Sequence, residues 1–148
     1  MSLIDTNILV YAADVDRDEH RACRHLLDTL RTGGHPFYAT WGIVYEFLRV
    51  VTHRRYLGKP WTTSGAWGFV TNLLRSPNLT VLTETSRHAE VAAEVWKEVP
   101  ALRGNVLHDA HTAILMREHG IRRIYTRDMD FHSFPFLEVV DPLALPRA

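Results

Sequence analysis

Cysteine is almost absent from this 148-residue chain. Cys23 stands alone, which excludes an internal disulfide framework and a zinc site built on cysteines. Net charge is absent as well. Lys+Arg and Asp+Glu number 17 each, so the whole-molecule basic field of a simple DNA coater is missing, although a local basic patch remains compatible with that balance. Long apolar runs are also lacking. The stretch from Leu3 to Ala13 carries Asp5 and Asn7 and has no basic residue before it. It suits neither a signal peptide nor a membrane span, which needs about 20 apolar residues. No repeat, low-complexity tract or long linker divides the chain. What is there is ordinary for a globular protein, at 46% hydrophobic and 23% charged residues. A single soluble cytosolic domain, burying roughly 68–70% of its unfolded surface, is the expectation.

Strands and helices alternate along the chain. Ser2-Leu3-Ile4-Asp5 reads as a short buried strand running into a polar turn, Asp5-Thr6-Asn7. Cys23, Leu26, Leu27 and Leu30 follow helical spacing, and Gly33-Gly34 ends that helix. Phe37-Tyr38-Ala39 is a second strand, with Thr40 placed to cap a helix over roughly 41–54. Thr62-Thr63-Ser64 opens another helix that runs through Leu74, and Thr80-Val81-Leu82 is a third strand. Ala92, Val95, Trp96 and Val99 mark a helix closed by Pro100. Residues 105–119 form a late helix ended by Gly120, before the strands Ile124-Tyr125-Thr126 and Glu138-Val139-Val140. This order predicts an α/β fold with a parallel sheet and a helix pair near 41–75 that protrudes.

Four acids stand out. Asp5 and Asp128 each follow a predicted parallel strand, the edge at which open α/β sheets bind ligands. At 100° per residue, Glu46 lies roughly 40° beyond the apolar arc from Ile43 to Val51. Asp109 lies roughly 40° beyond the arc of Val106, Leu107, Ala110, Ala113 and Ile114. Each acid also has a plain structural explanation: a cap for Asp5, a solvated loop for Asp128 and Asp130, a pair with Arg49 for Glu46, and a helix-dipole position for Asp109. Converging carboxylates repel and need a counter-charge, which a hard dication such as Mg²⁺ or Mn²⁺ supplies through oxygen ligands. Such an ion activates water and steadies phosphate charge, so phosphodiester hydrolysis is the natural reaction class.

Leu3-Ile4-Asp5-Thr6-Asn7, Glu46, His108-Asp109-Ala110 and Thr126-Arg127-Asp128-Met129-Asp130-Phe131, in that order, resemble the motifs of the PIN-domain ribonucleases. Within that group the short chain looks like a VapC-type toxin of a toxin–antitoxin pair, and the resemblance covers essentially all residues 1–148. It implies one PIN domain with a parallel sheet of about five strands flanked by helices. It implies Mg²⁺ or Mn²⁺ and RNA as substrate. It carries over Asp5, Glu46, Asp109 and Asp128 as the catalytic quartet, with Asp5, Asp109 and Asp128 as metal ligands. Thr6, Asn7, Thr126 and Asp130 become supporting polar residues, Asp128 being favoured over Asp130 as the fourth acid because it lies nearer the strand end. The HD dipeptide at His108-Asp109 also occurs in all-helical phosphohydrolases, whose architecture the alternating pattern contradicts.

Arg49 and His53 fall on the flank of the second long helix that carries Glu46. With Arg54, Arg55 and Lys59 they are candidates for contact with RNA phosphates. Trp41, Trp61 and Trp67 lie with Tyr45, Phe47, Tyr56 and Phe69 between residues 41 and 69, more aromatic area than one helix pair hides. With the resemblance, that excess implies a homodimer and a cognate antitoxin protein as partners. The alternatives are a non-catalytic binding module of the same fold and a PIN nuclease outside toxin–antitoxin systems.

Overall fold

A computed structural model describes residues 1–144. Five strands, β1 (Ser2–Ile4), β2 (Phe37–Thr40), β3 (Leu79–Leu82), β4 (Arg123–Tyr125) and β5 (Glu138–Val140), form one sheet in the order β3-β2-β1-β4-β5. Every neighbouring pair is parallel. The helices are α1 (Thr6–Ala13), α2 (His20–Thr32), α3 (Trp41–Thr52), α4 (Thr63–Leu74), α5 (His88–Glu98) and α6 (Val106–Glu118), with a short 3-10 turn at Met129–Ser133. β1 is central and buried along its whole length, which explains why it reads as an apolar run rather than an alternating one. From β1 the chain builds β2 and β3 on one side, then crosses back to build β4 and β5 on the other. The strand order therefore reverses between β1 and β4, the crevice where such sheets place ligands.

Local chemistry sets the element ends. Thr40 Oγ1 accepts from the Ile43 N–H at 3.1 Å to start α3, and Thr62 Oγ1 accepts from Gly65 N–H at 3.1 Å to start α4. Gly120 ends α6 with φ +67°, a left-handed conformation that most side chains resist. α3 and α4 pack through Phe47 stacked on Phe69 at 4.9 Å, with Trp61 edge-on to both. α3 also packs against α1 and β2 and so belongs to the body of the domain, whereas α4 rests on α3 and the edge strand β3 with much of its surface exposed.

Three sequence expectations need correction. The polar turn expected at Asp5-Thr6-Asn7 is the first turn of α1. This helix buries Ile8, Leu9, Val10 and Ala12 between α2 and α3; it is short and apolar on most sides, so it shows no periodic contrast. On α6, Leu107 is 46% exposed, whereas Thr112 to Met116 are all buried. The second half of α6 lies enclosed by α5 and the 3-10 turn, and its first turn stands at the surface. Trp96, expected on the apolar face of α5, is likewise 41% exposed. Among the described residues, no helix is long and apolar enough to cross a membrane.

Candidate active site

The ends of β1 and β4 are clipped together, because the Asp5 N–H donates to the Tyr125 carbonyl at 3.1 Å. Asp5 then caps α1, its Oδ1 accepting from the Thr6 N–H at 2.7 Å. Its Oδ2 accepts from Asn7 Nδ2 and from Thr126 Oγ1, both at 2.7 Å. Asn7 Nδ2 also reaches Thr126 Oγ1 at 2.9 Å, and the same hydroxyl oxygen accepts the Asp128 N–H at 2.9 Å. Thr6, Asn7 and Thr126 thus lock the Asp5 carboxylate between two strand ends. Burial pushes the Asp5 carboxyl up to about 6, against the pull of its bonds from Thr126 and Thr6 and helped by the charges of Asp128 and Glu46.

Asp109 enters from the first turn of α6. Carboxylate oxygens of Asp109, Asp128 and Asp130 lie within 4.8 Å of one another. Asp109 is pushed up to about 7, first by burial and then by the negative charges of Asp128, Asp5, Asp130 and Glu46. The acids open onto a cleft of about 320 Å³ whose walls include Asp5, Glu46, Asp109 and Asp128. Asp130, expected as a supporting residue, belongs with Asp128 to the group whose oxygens lie within 4.8 Å of Asp109. The cause is local: Asp128 Oδ1 accepts from the Asp130 N–H at 2.9 Å to cap the 3-10 turn, which folds the second acid back beside the first.

Glu46 reaches the cleft wall in a different electrostatic state. Its two oxygens accept from Arg49 at 2.6 and 2.9 Å, and those bonds hold its carboxyl below the ordinary range. The plain pair read from the i+3 spacing is therefore present, and Arg49 is committed to it. The Arg49 guanidinium also lies over the Tyr56 ring at 5.2 Å. His53 does not continue the flank of α3, because the helix stops at Thr52 and His53 is extended at its C-cap. Its Nδ1 accepts the Arg55 N–H at 3.1 Å, and Arg54 and Arg55 sit in the exposed turn that follows. The chain extends here because Trp61 N–H returns to Val51 O at 2.8 Å. Sequence reasoning missed Tyr11 and Arg17, which line the cleft. Both depend on α1, and an unrecognised helix left no signal for them.

Asp109, Asp128 and Asp130, all oxygen donors with no cation paired to them among the described residues, fit a hard divalent ion, and Asp5 lines the same cleft outside that close trio. The PIN domain family profile matches residues 2–137 of the chain. Ribonuclease VapC48 of Mycobacterium tuberculosis is 31% identical over 95% of this chain and 96% of its own length. Ribonuclease VapC43 of the same organism is 33% identical over 97% and 96%. Among solved structures, VapBC2 from Rickettsia felis, bound to a DNA fragment from their promoter, covers 94% of this chain and 96% of its own, with TM-score 0.66 at 16% identity. The chain belongs to the PIN domain family and, within it, to the VapC ribonucleases.

Proposed function

We propose that this protein is a divalent-cation-dependent endoribonuclease that acts as the toxin of a toxin–antitoxin pair. One observation carries the reading: acids from the end of β1, α6 and the loop after β4 line one cleft at the strand-order reversal with no paired cation among the described residues, and burial together with their charges pushes Asp109 up to about 7. Asp5, Asp109 and Asp128 would hold Mg²⁺ or Mn²⁺, with Asp130 within reach of the same position. When bound, the ion supplies counter-charge, lowers the pKa of a coordinated water and steadies charge on the phosphate.

The chain's own residues do the positioning. Thr126 and Asn7 fix the Asp5 carboxylate, so it does not reorient as charge changes beside it. Glu46 stays ionised at neutral pH because Arg49 compensates it, and its oxygens can accept a hydrogen bond from an incoming water. In the reaction the water oxygen bonds to phosphorus as the water gives up a proton, and the opposite P–O bond breaks in line. The leaving oxygen takes up a proton from solvent, leaving one strand with a terminal phosphate and one with a terminal hydroxyl. Cleavage of total RNA by the recombinant protein should require Mg²⁺ or Mn²⁺, stop in EDTA and disappear in Asp5→Asn. Cleavage that EDTA leaves unaffected refutes the cation mechanism; binding of RNA without turnover favours a non-catalytic module.

The partners follow from surface chemistry. Trp41, Tyr45, Tyr56 and Trp67 remain between 41% and 65% exposed on and beside α3 and α4. Aromatics of that exposure are typical interface anchors. They support self-association through an apolar helical face and docking of a short antitoxin that blocks the acidic cleft. A basic antitoxin side chain among the carboxylates would inhibit by charge competition with the ion. The whole of residues 1–148 would then form one cytoplasmic PIN domain. Co-expression with the small protein encoded next to this gene should yield a stable, nuclease-inactive complex. A chain that stays monomeric and is not inhibited by that neighbour defeats the partner assignment.

A further inference from the structure

We infer that Arg17 is a substrate-positioning residue that seats the phosphate adjoining the one at the acids and so sets which phosphodiester is cut. This rests on the ribonuclease reading above. Among the described residues that line the cleft, four are acids and Arg17 alone is a cation. Such a cleft repels a polyanion, so the one guanidinium on its wall is where a phosphate gains most.

Arg17 is already oriented. Its Nε donates to Asp14 Oδ2 at 3.1 Å, an ion pair made through one N–H where Arg49 gives Glu46 two, and its Nη2 donates to the Tyr56 carbonyl at 3.2 Å. The anchors come from different segments, one just after α1 and one in the turn after α3. They use two of the five guanidinium N–H groups and leave three for an incoming anion. Holding the planar fork in place before binding reduces the entropy lost per hydrogen bond formed. The side chain remains 45% exposed, so solvent and ligand both reach it. Val10, Tyr11 and Val50 also line the cleft, an apolar surface suited to a ribose or base between two phosphates. The substrate this geometry takes has at least two consecutive phosphates, so a dinucleoside monophosphate should be cut much more slowly than a longer strand.

Arg17 could instead be only a pin between the two turns, and the salt dependence of binding separates the two roles. Each neutralised phosphate on a single strand contributes about 0.7 to the slope of log K against log salt. Anisotropy of a short labelled single-stranded RNA is titrated with salt in an Asp109→Asn background, which binds without cutting. Adding Arg17→Ala should lower the slope by about 0.7, whereas Arg17→Lys should keep the slope because the charge remains. In the otherwise unmodified enzyme, Arg17→Ala should raise KM about tenfold, the size expected for one charged hydrogen-bond contact, with kcat within about threefold. An unchanged slope overturns the inference, as does a lost activity that tracks a lowered thermal midpoint and falls on kcat. A parent enzyme that fails to cleave RNA in Mg²⁺ or Mn²⁺ overturns the ribonuclease reading itself, and this inference with it.

Discussion

The two ends of α6 carry acids in opposite electrostatic states. At its first turn Asp109 faces Asp128 and Asp130 with no paired cation among the described residues, and its carboxyl is pushed up to about 7. At its last turn Glu118 has a fully buried side chain, yet its carboxyl is held below the ordinary value. Burial alone pushes Glu118 up, but Thr85 donates from both N–H and hydroxyl, His88 Nδ1 lies 2.6 Å away, and together these outweigh it. The surroundings of Glu118 are paired throughout: Glu84 with His111 at 2.9 Å, and Glu98 with Arg117 at 2.7 Å. Burial is therefore common to both ends, and what distinguishes the cleft is missing counter-charge. Outside the cleft, the acids left without a partner among the described residues, Asp16 and Asp18, are exposed to solvent. The unpaired acids of the cleft are instead partly buried and crowded together at one sheet edge.

The largest effect is expected at Asp109. Asp109→Asn is nearly isosteric and removes one charge from the trio, so cleavage should fall below detection while the fold persists. Without metal the same change should stabilise, and the sign follows from proton binding. Between about pH 4 and pH 7 the native state keeps a proton on Asp109 that the unfolded chain has released. Stability of the metal-free protein therefore falls as pH rises through that window. At pH 8 the variant should melt several degrees higher than the parent, on the order of 1 kcal/mol after solvent screening, and the difference should vanish near pH 4. Full activity in the variant would remove Asp109 from the site, and an unchanged midpoint at pH 8 would remove the repulsion.

Next in size is the choice between Asp128 and Asp130. Both carboxylates stand within 4.8 Å of Asp109, but only Asp128 also lines the cleft and caps the 3-10 turn. Asp128→Asn retains the cap acceptor while removing charge, so its loss of activity reports electrostatics rather than loop geometry. It should cost about 100-fold or more in kcat, and Asp130→Asn about tenfold, each read alongside Mn²⁺ affinity by calorimetry. Equal losses would make the two acids equivalent ligands and erase the ranking drawn from distance to the strand end.

How far the sequence disclosed this arrangement depends on the range of the interactions involved. The order of strands and helices was legible because alternation, Thr40, Gly120 and the apolar runs are local signals. The placement of Asp5 and Asp128 at strand ends was legible for the same reason. The convergence of Asp109 came through motif order, since the arc containing Leu107 that placed it at a core border was partly wrong. α1 was invisible because an eight-residue apolar helix has no contrast between faces. Without α1 the turn after it had no address, and nothing in the sequence sets Arg17 apart from the other charges of Asp14-Val15-Asp16-Arg17-Asp18-Glu19. His53 was assigned to a helix flank that ends one residue before it, an error of the boundary kind that helix ends invite.

At the other end of α6 the expected effect is on stability, not on chemistry. Glu118→Gln keeps an acceptor for the two Thr85 donors but removes the negative charge, so the charge-assisted bonds from Thr85 and the pairing with His88 are weakened in a buried position. It should lower stability by about 1–3 kcal/mol and leave kcat of the folded enzyme unchanged. The pH sign is opposite to that of Asp109. A depressed carboxyl contributes stability above the ordinary carboxylate value and loses it as pH falls, so parent and variant should converge in acid. A Glu118→Gln protein with normal stability at pH 7 would show that the pairing there is neutral, and would weaken the contrast on which the reading of the cleft depends.

The smallest effect is expected at the boundary between the two regimes, the Glu46–Arg49 pair. The pair is half exposed on both sides and spans i, i+3 on α3, so its removal should change stability by no more than about 0.5 kcal/mol. Its chemical effect should be distinct. Arg49→Gln keeps a polar side chain, though a shorter one, and leaves Glu46 ionised and uncompensated at the cleft wall. The negative charge seen by Asp109 then rises, and with it the affinity for Mn²⁺, by about two- to fivefold on the scale of one half-exposed charge. RNA affinity in the Asp109→Asn background should change little, because Arg49 spends its fork on Glu46 and its face on Tyr56. A large drop in RNA affinity with a loss in salt slope would instead return Arg49 to the phosphate-contacting set, and would mean that RNA draws the guanidinium off Glu46 on binding.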